Sequence, residues 1–421
     1  MRRRPLGAAL AAVVTAASLA LTAAPVGSAT PPPTPVGPSG SPSPFPTALR
    51  TPKDPVPAPS ISAASAVLED LDSGQVLIAK AANATRPVAS LTKIMTALLV
   101  LERLSLSATV TASARATSEP GATLGLRVGE RIRAQDLLNG LLLASADDAA
   151  VAFAERISGS VPAFVDLMNG RARELGLRRT HFASPDGYDN AGVSSPNDLA
   201  TLTRVAMRDP VFESIVRAKR ASVRSRNGPL RVVQNRNVLL WLYRGAIGVK
   251  TGFTTPAGHC VVAAAERNGL RLLAVVLGAP ADAFSDAAAL LNHGFAAFRR
   301  STVVTAGERL GTLTVRGRAV TVVAESALAP LVPIDALGHV LLRLREAPDL
   351  RAPVSEGERV GTLTAVAGRL VLGSVAAVAG AASRASTSGP QRRTAERWRD
   401  PVQAAFGVLR AFAGSLFGGF L

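Results

Sequence analysis

The sequence predicts an α/β (α+β) protein, a sheet flanked by helices, followed by a small all-β domain. Three observations carry this. The apolar runs of "AVLEDLDSGQVLIAK" meet around Asp72-Ser73-Gly74, which reads as a hairpin. "GHCVVAAAE" and "LRLLAVVLG" are joined by Arg267-Asn268-Gly269, and an Asn-Gly step is a strong hairpin signal. Helical periodicity lies between these hairpins and after them, and beyond Arg300 it gives way to Val/Thr/Leu runs punctuated by glycine.

The elements follow in order along 421 residues. Residues 1–29 carry Arg2-Arg3-Arg4, an apolar run from Leu6 to Ala23 and small residues at Gly27-Ser28-Ala29, the pattern of a secretory signal peptide. A retained N-terminal anchor is the other reading. Residues 30–60 are dense in Pro, Ser and Thr and form an extended, disordered spacer. Residues 61–300 form the first domain. After its opening hairpin, helices are expected from Ser90, over Leu137–Ile157, Ala163–Leu175 and Asn197–Met207, and in "DAFSDAAALLNHGFAAFRR". Residues 301–378 form the β domain, in which one phrase occurs twice, "AGERLGTLTV" and "EGERVGTLTA". Residues 379–400 are a polar, Arg-rich linker. In 401–421, Val402, Phe406, Leu409, Leu416 and Phe420 share one helical stripe, as in an amphipathic helix lying in a membrane interface. The run is barely long enough to span a bilayer, and Arg410 sits in its middle; spanning and ordinary packing remain the other readings.

Composition narrows the function. The formal net charge of +17 suits nucleic acid or an anionic surface. An exported chain excludes nucleic acid, so the charge faces anionic polymer or lipid. Cys260 is the only cysteine, so neither an intrachain disulfide nor a multi-cysteine metal site is possible. No cofactor or metal is expected. His181, His259, His293 and His339 show no catalytic spacing, and neither Gly-x-Ser-x-Gly nor His-Glu-x-x-His occurs.

The chain holds only five lysines among its 47 cations, yet one of them, Lys93, lies inside the apolar helix "ASLTKIMTALLVLE". Ser90 is three residues before it, about 60° around the axis and one turn away. Burial and a helix N-terminus both disfavour an ammonium there. A neutral lysine within reach of a serine hydroxyl is a nucleophile with its general base. Ser-x-x-Lys alone recurs by chance. "GVKTGFTTPAGHC" adds Lys250-Thr251-Gly252 before the second hairpin, where a glycine lets a substrate backbone approach. "LLLASADDAA" adds Ser145-Ala146-Asp147 ahead of an Ala-rich helix.

With these three motifs in this order the chain resembles the penicillin-recognising serine enzymes. It is most similar to the low-molecular-mass penicillin-binding proteins that are D-alanyl-D-alanine carboxypeptidases. "RPVASLTKIMTALLVLE", "FVDLMNGRARELGLRRTHFASPDGYD" and "SSPNDLATL" match that group's phrasing. The resemblance implies a β-lactamase/transpeptidase-like antiparallel sheet with a helical subdomain. It also implies the reaction. Ser90 attacks the carbonyl of the penultimate D-alanine of a peptidoglycan stem peptide, and Lys93 accepts its proton. Ser145 relays a proton to the departing D-alanine. Lys250 and Thr251 hold the terminal carboxylate, Gly252 lies on the strand that receives the substrate, and the N–H groups of Ser90 and Phe253 form the oxyanion hole. β-Lactams are expected as covalent inhibitors, and the enzyme is expected outside the cytoplasm, held to the membrane surface by its C-terminal helix.

One position departs from the group. Asp147 stands where Asn is usual, and a carboxylate accepts hydrogen bonds but does not donate them. Asp147 is a tolerated variant in a working enzyme, or it is held protonated, or turnover is slow, or Asp148 rearranges to share the role. A catalytically weak wall-binding homologue is a further reading, as is a class A-like β-lactamase. The latter lacks its usual Glu-x-x-Leu-Asn segment here.

Overall fold

The computed structural model describes residues 58–189 and 191–381. The expected signal peptide, most of the Pro-rich spacer, nearly all of the Arg-rich linker and the C-terminal helix lie outside the described residues. No described helix is long and apolar enough to cross a membrane.

Five antiparallel strands build the central sheet. They are β1 (Ser65–Asp70), β2 (Val76–Lys80), β3 (Ala246–Thr254), β4 (Gly258–Arg267) and β5 (Leu270–Ala279), in the order β2-β1-β5-β4-β3. The chain ends of the domain therefore meet in the middle, where β1 pairs with β5 from Ser65↔Leu277 to Asp70↔Leu272. Asn268 and Gly269 turn the β4–β5 hairpin with φ of 51° and 74°. Both central residues then have the positive φ that a type I′ turn demands.

Alternation sends each strand's side chains to two cores. Val67, Val262, Ala264, Leu273 and Val275 pack beneath the helical part of the domain. Ala66, Leu68, Val261, Ala263, Leu272 and Ala274 pack on the other face, against the helix Ala283–Ala297. With both faces covered, all six residues of β1 are buried. The helical part includes α1 (Lys93–Arg103), α2 (Asp147–Ser158), α3 (Val161–Glu174) and α4 (Pro196–Ala206). Ser160 and Ser195 cap α3 and α4 by accepting from Ala163 N and Asp198 N.

Two expected helices differ. Ser90 does not open an α-helix; it sits in a 3-10 turn, Ala89–Thr92, and α1 starts at Lys93. The continuous helix expected over Leu137–Ile157 is broken. Ala134–Asn139 widens into a π-turn at Gly140–Ala144, Ser145 takes φ 64°, and helix resumes only at Asp147. Apolar periodicity carries no record of this single left-handed residue.

The β domain is a second five-stranded sheet of β6 (Arg309–Val315), β7 (Arg318–Ala324), β8 (Val340–Glu346), β9 (Arg359–Ala367) and β10 (Leu370–Ala379), ordered β6-β7-β10-β9-β8. The repeated phrase builds the same device twice. Glu308 Oε2 accepts from Thr305 N and Glu358 Oε2 from Ser355 N, at 2.8 and 2.9 Å. Each glutamate is followed by a register shift, at Arg309/Gly311 and at Arg359/Gly361. A side-chain amide links the turn after β1 to the short strand Leu331–Pro333, which pairs with Phe298–Arg300: Gln75 Nε2 donates to Leu331 O, and Leu331 N donates to Gln75 Oε1, both at 2.7 Å.

One buried acid on β1 gives the fold a pH dependence. Glu69 is 4% exposed, and burial pushes its carboxyl up to about 7 against the pull of Arg204, whose Nε lies 3.0 Å away. A folded pKa above the unfolded value means that the fold binds the extra proton. That stabilisation is complete below about 4.5 and is lost as pH rises through about 7. Thermal melting of Glu69→Gln is therefore expected to show a flatter slope across this window than the unsubstituted protein.

Candidate active site

The site forms where α1, α2 and β3 converge. Lys93, at the start of α1, is fully buried. Its Nζ donates to Ser90 Oγ at 2.9 Å and to Asp186 O at 2.7 Å, and lies 2.5 Å from Asp147 Oδ1. Lys250, in the middle of β3, is 2% exposed. Its Nζ makes hydrogen bonds to Ser145 Oγ at 3.0 Å and to Thr251 O at 2.9 Å. Two serine–lysine pairs thus face one cleft of about 350 Å³. Ser90, Ser145, Asp147, Thr251, Gly252 and Phe253 line it, and each lysine lies behind its serine.

The backbone is forced into unusual conformations at both serines. Ala89, just before Ser90, has φ 48°, and Ser145 has φ 64°. Such residues cost about 1–3 kcal/mol each and persist where the surroundings over-determine them. The surroundings here are tight. A Cβ on Gly252 would sit 3.0 Å from Val88 O and 3.2 Å from Ser90 N, so glycine lets β3 pass directly beside the Ser90 backbone.

Asp147 has two bonds to its neighbours. Oδ2 accepts from Ala122 N at 2.7 Å, and Oδ1 meets Lys93. Burial outweighs the pull of Lys93 and raises its carboxyl above the usual carboxylate range. Its 2.5 Å contact with Lys93, which meets no other carboxylate among the described residues, is the geometry of a charge-assisted pair. Asp148 does not share the role, contrary to one of the expected alternatives. Its oxygens accept from Leu124 N, Leu126 N and Ala149 N, all within 3.1 Å, and so hold the 122–126 loop. Lys250 is held well below the usual lysine range, first by burial and then by the charges of Lys93 and Arg236.

Sequence reasoning missed the turn Ser184–Tyr188. Asp186 supplies the carbonyl that accepts from Lys93, and its own Oδ1 accepts from Ser184 Oγ and Tyr188 N. Gly187 has φ 80°, and a Cβ there would run into Ala89 O. The Pro-Asp-Gly step was a visible turn signal, but nothing in the chain says which lysine it meets. Arg236 and Tyr188 also line the cleft, as does His259, whose ring lies 4.6 Å from that of Phe253. Cys260 is buried and its thiol is pushed up to about 11 by that burial, as suits a small core residue.

Three kinds of comparison bear on this geometry. A family model described as D-alanyl-D-alanine carboxypeptidase matches residues 52–281. The chain is 31% identical over 313 residues to D-alanyl-D-alanine carboxypeptidase DacF of Bacillus subtilis (strain 168), covering 72% of this chain and 80% of that protein. It is 38% identical over 247 residues to DacB2 of Mycobacterium tuberculosis, covering 56% and 84%. Among solved structures it is similar to penicillin binding protein 5 from Haemophilus influenzae, with a TM-score of 0.66 and 29% identity over 77% of this chain and 98% of that one.

Gly187→Ala is expected to cost about 1–3 kcal/mol of stability, through a side chain at positive φ. It should also push Ala89 and Ser90 out of line, so that β-lactam acylation slows even at temperatures where the variant stays folded. Melting and acylation kinetics on one preparation check both.

Proposed function

This chain belongs to the D-alanyl-D-alanine carboxypeptidase family, and we propose that Ser90, Lys93, Ser145 and Lys250 carry its chemistry. It is a serine-type carboxypeptidase that removes the terminal D-alanine from peptidoglycan stem peptides. One observation carries the residue assignment: a serine hydroxyl 2.9 Å from a buried lysine and a second 3.0 Å from another, both opening on one cleft.

In this reading Ser90 Oγ attacks the carbonyl carbon of the penultimate D-alanine, and Lys93 Nζ takes its proton. The N–H groups of Ser90 and Phe253 receive the oxyanion; the close passage of Gly252 beside Ser90 N supports that pairing. Ser145 hands a proton to the departing D-alanine amine, and Lys250 stands ready to replace it. The terminal carboxylate lies against Thr251 and Ser145, with the charge of Lys250 behind them. Asp147 orients Lys93 and ties α2 to the 122–126 loop. Water then hydrolyses the acyl-enzyme and frees Ser90. A β-lactam follows the same path as far as the acyl-enzyme and stays, having no leaving group to diffuse away.

The substrate lies outside the cytoplasm, so residues 1–29 act as an export signal. Residues 401–421 hold the enzyme at the membrane surface, as their apolar stripe and the preceding arginines suggest. Residues 61–300 do the chemistry, and the 301–378 domain spaces the cleft from the membrane. The paired hydrogen bonds between Gln75 and Leu331, which cross from the first domain to the second, support a fixed spacer.

A diacyl peptide ending in D-Ala-D-Ala should release D-alanine with the intact enzyme and at least about 10³-fold more slowly with Ser90→Ala. A fluorescent penicillin should label only the former, and the label should survive denaturation. Release of D-alanine by Ser90→Ala at the original rate would refute the nucleophile assignment.

A further inference from the structure

We propose that Asp147 locks the resting site with a proton on Lys93 and a free amine at Lys250, and that a ligand's carboxylate opens this lock by drawing the proton across to Lys250. The proposal rests on Ser90 being the nucleophile.

The placement of counter-charges around the two lysines leads to it. Lys93 Nζ faces three oxygens: Ser90 Oγ, Asp186 O and Asp147 Oδ1. An ammonium has three N–H bonds to give and no lone pair, so the two sets match. A neutral amine would also be satisfied, giving N–H bonds to Asp186 O and Asp147 Oδ1 and taking the Ser90 hydroxyl in its lone pair, so it is the Asp147 carboxylate at 2.5 Å that favours the ammonium. Asp147 Oδ1 has no other donor among the described residues, which leaves the Lys93 proton as its only partner. Lys250 is different. Thr251 O can only accept from it, but Ser145 Oγ can donate to it. A free amine fits that pair, giving one N–H to the carbonyl and receiving the hydroxyl in its lone pair. No carboxylate lies within ion-pair distance of Lys250 among the described residues. Burial and the neighbouring charges of Lys93 and Arg236 press the same way. Of two buried lysines, one has a counter-charge and the other has none.

A carboxylate seated against Thr251 and Ser145 reverses the order. It gives Lys250 the missing counter-charge, and two neighbouring ammonium groups repel each other. One N–H bond then breaks at Lys93 and one forms at Lys250. Ser90 and Ser145 relay the proton, each hydroxyl accepting one and giving one, with solvent between them. Lys93 is left as a free amine beside Ser90 and takes the Ser90 proton as the acyl bond forms. The Asp147 carboxylate opposes this transfer, where an amide would oppose it far less. Asp147 therefore trades speed for selectivity: a cleft without a bound carboxylate has no base.

Benzylpenicillin and its methyl ester make a matched pair, with the same electrophile and with or without the carboxylate. Intact-mass kinetics on the full chain gives the rate of Ser90 acylation by each. On the unsubstituted enzyme the ester should react slowly, and its rate should climb with pH more steeply than that of the acid. The carboxyl groups of Asp147, Asp186 and Glu119 lie around this pair, and Arg236 and His259 face the cleft. In Asp147→Asn the ester rate should rise about tenfold or more, and the acid-to-ester ratio should shrink with it. Asp147→Ser should behave alike and serves if the amide variant folds poorly. An unchanged ratio in the folded variants overturns the proposal, as do matching pH profiles for acid and ester on the unsubstituted enzyme. Penicillin failing to label Ser90 at all would instead overturn the nucleophile assignment beneath it.

Discussion

Lys93 is a cation with no access to water, and the surrounding structure is arranged to satisfy it. An unpaired buried charge costs several kcal/mol, so each of its hydrogen bonds must end on an oxygen. Those three oxygens come from distant parts of the chain: the turn before α1, the start of α2 and the 184–188 turn. Satisfying one ammonium therefore draws three segments together. The same contacts bring the Ser90 hydroxyl within 2.9 Å of the amine. The electrostatic requirement of the fold and the geometric requirement of the chemistry are met by the same bonds.

The two lysines share burial but not surroundings. Lys93 lies against Asp147, while Lys250 has a hydroxyl and a carbonyl for company. Their nearness makes each unfavourable to the other's charge, so the site holds one proton more comfortably than two. A small change in composition, one carboxylate in place of an amide, then has a large effect on which amine is free. Asp148, one residue on, has no such effect because three backbone N–H groups already occupy it.

Rigidity around the cleft comes from positions where a side chain will not fit. Gly187 presses on Ala89, Gly252 on Val88 and Ser90, and Gly121 on Asp147 and Tyr188. Ala89 and Ser145, at the two catalytic turns, hold positive φ. In the β domain the same economy appears as a repeat: one ten-residue phrase, used twice, makes two glutamate-closed turns and two bulges that meet across the β7–β10 pair.

What the sequence by itself determined was local. Two hairpins, the main helices after the break at Ser145 and the repeated β-domain phrase could be read from periodicity and turn residues, because each depends on neighbours a few positions away. The rarity of lysine marked Lys93 and Lys250, and the three motifs grouped Ser90, Ser145 and Thr251 with them. Only the tertiary structure decided the rest. It placed the Asp186 carbonyl on Lys93, committed Asp147 to Lys93 and Asp148 to the 122–126 loop, broke the helix at Ser145 and turned Arg236 into the cleft. The contacts behind these choices join residues dozens to more than a hundred positions apart. Their partners are chosen by which oxygen a buried ammonium can reach once the sheet and helices have closed, and no window along the chain contains that distance.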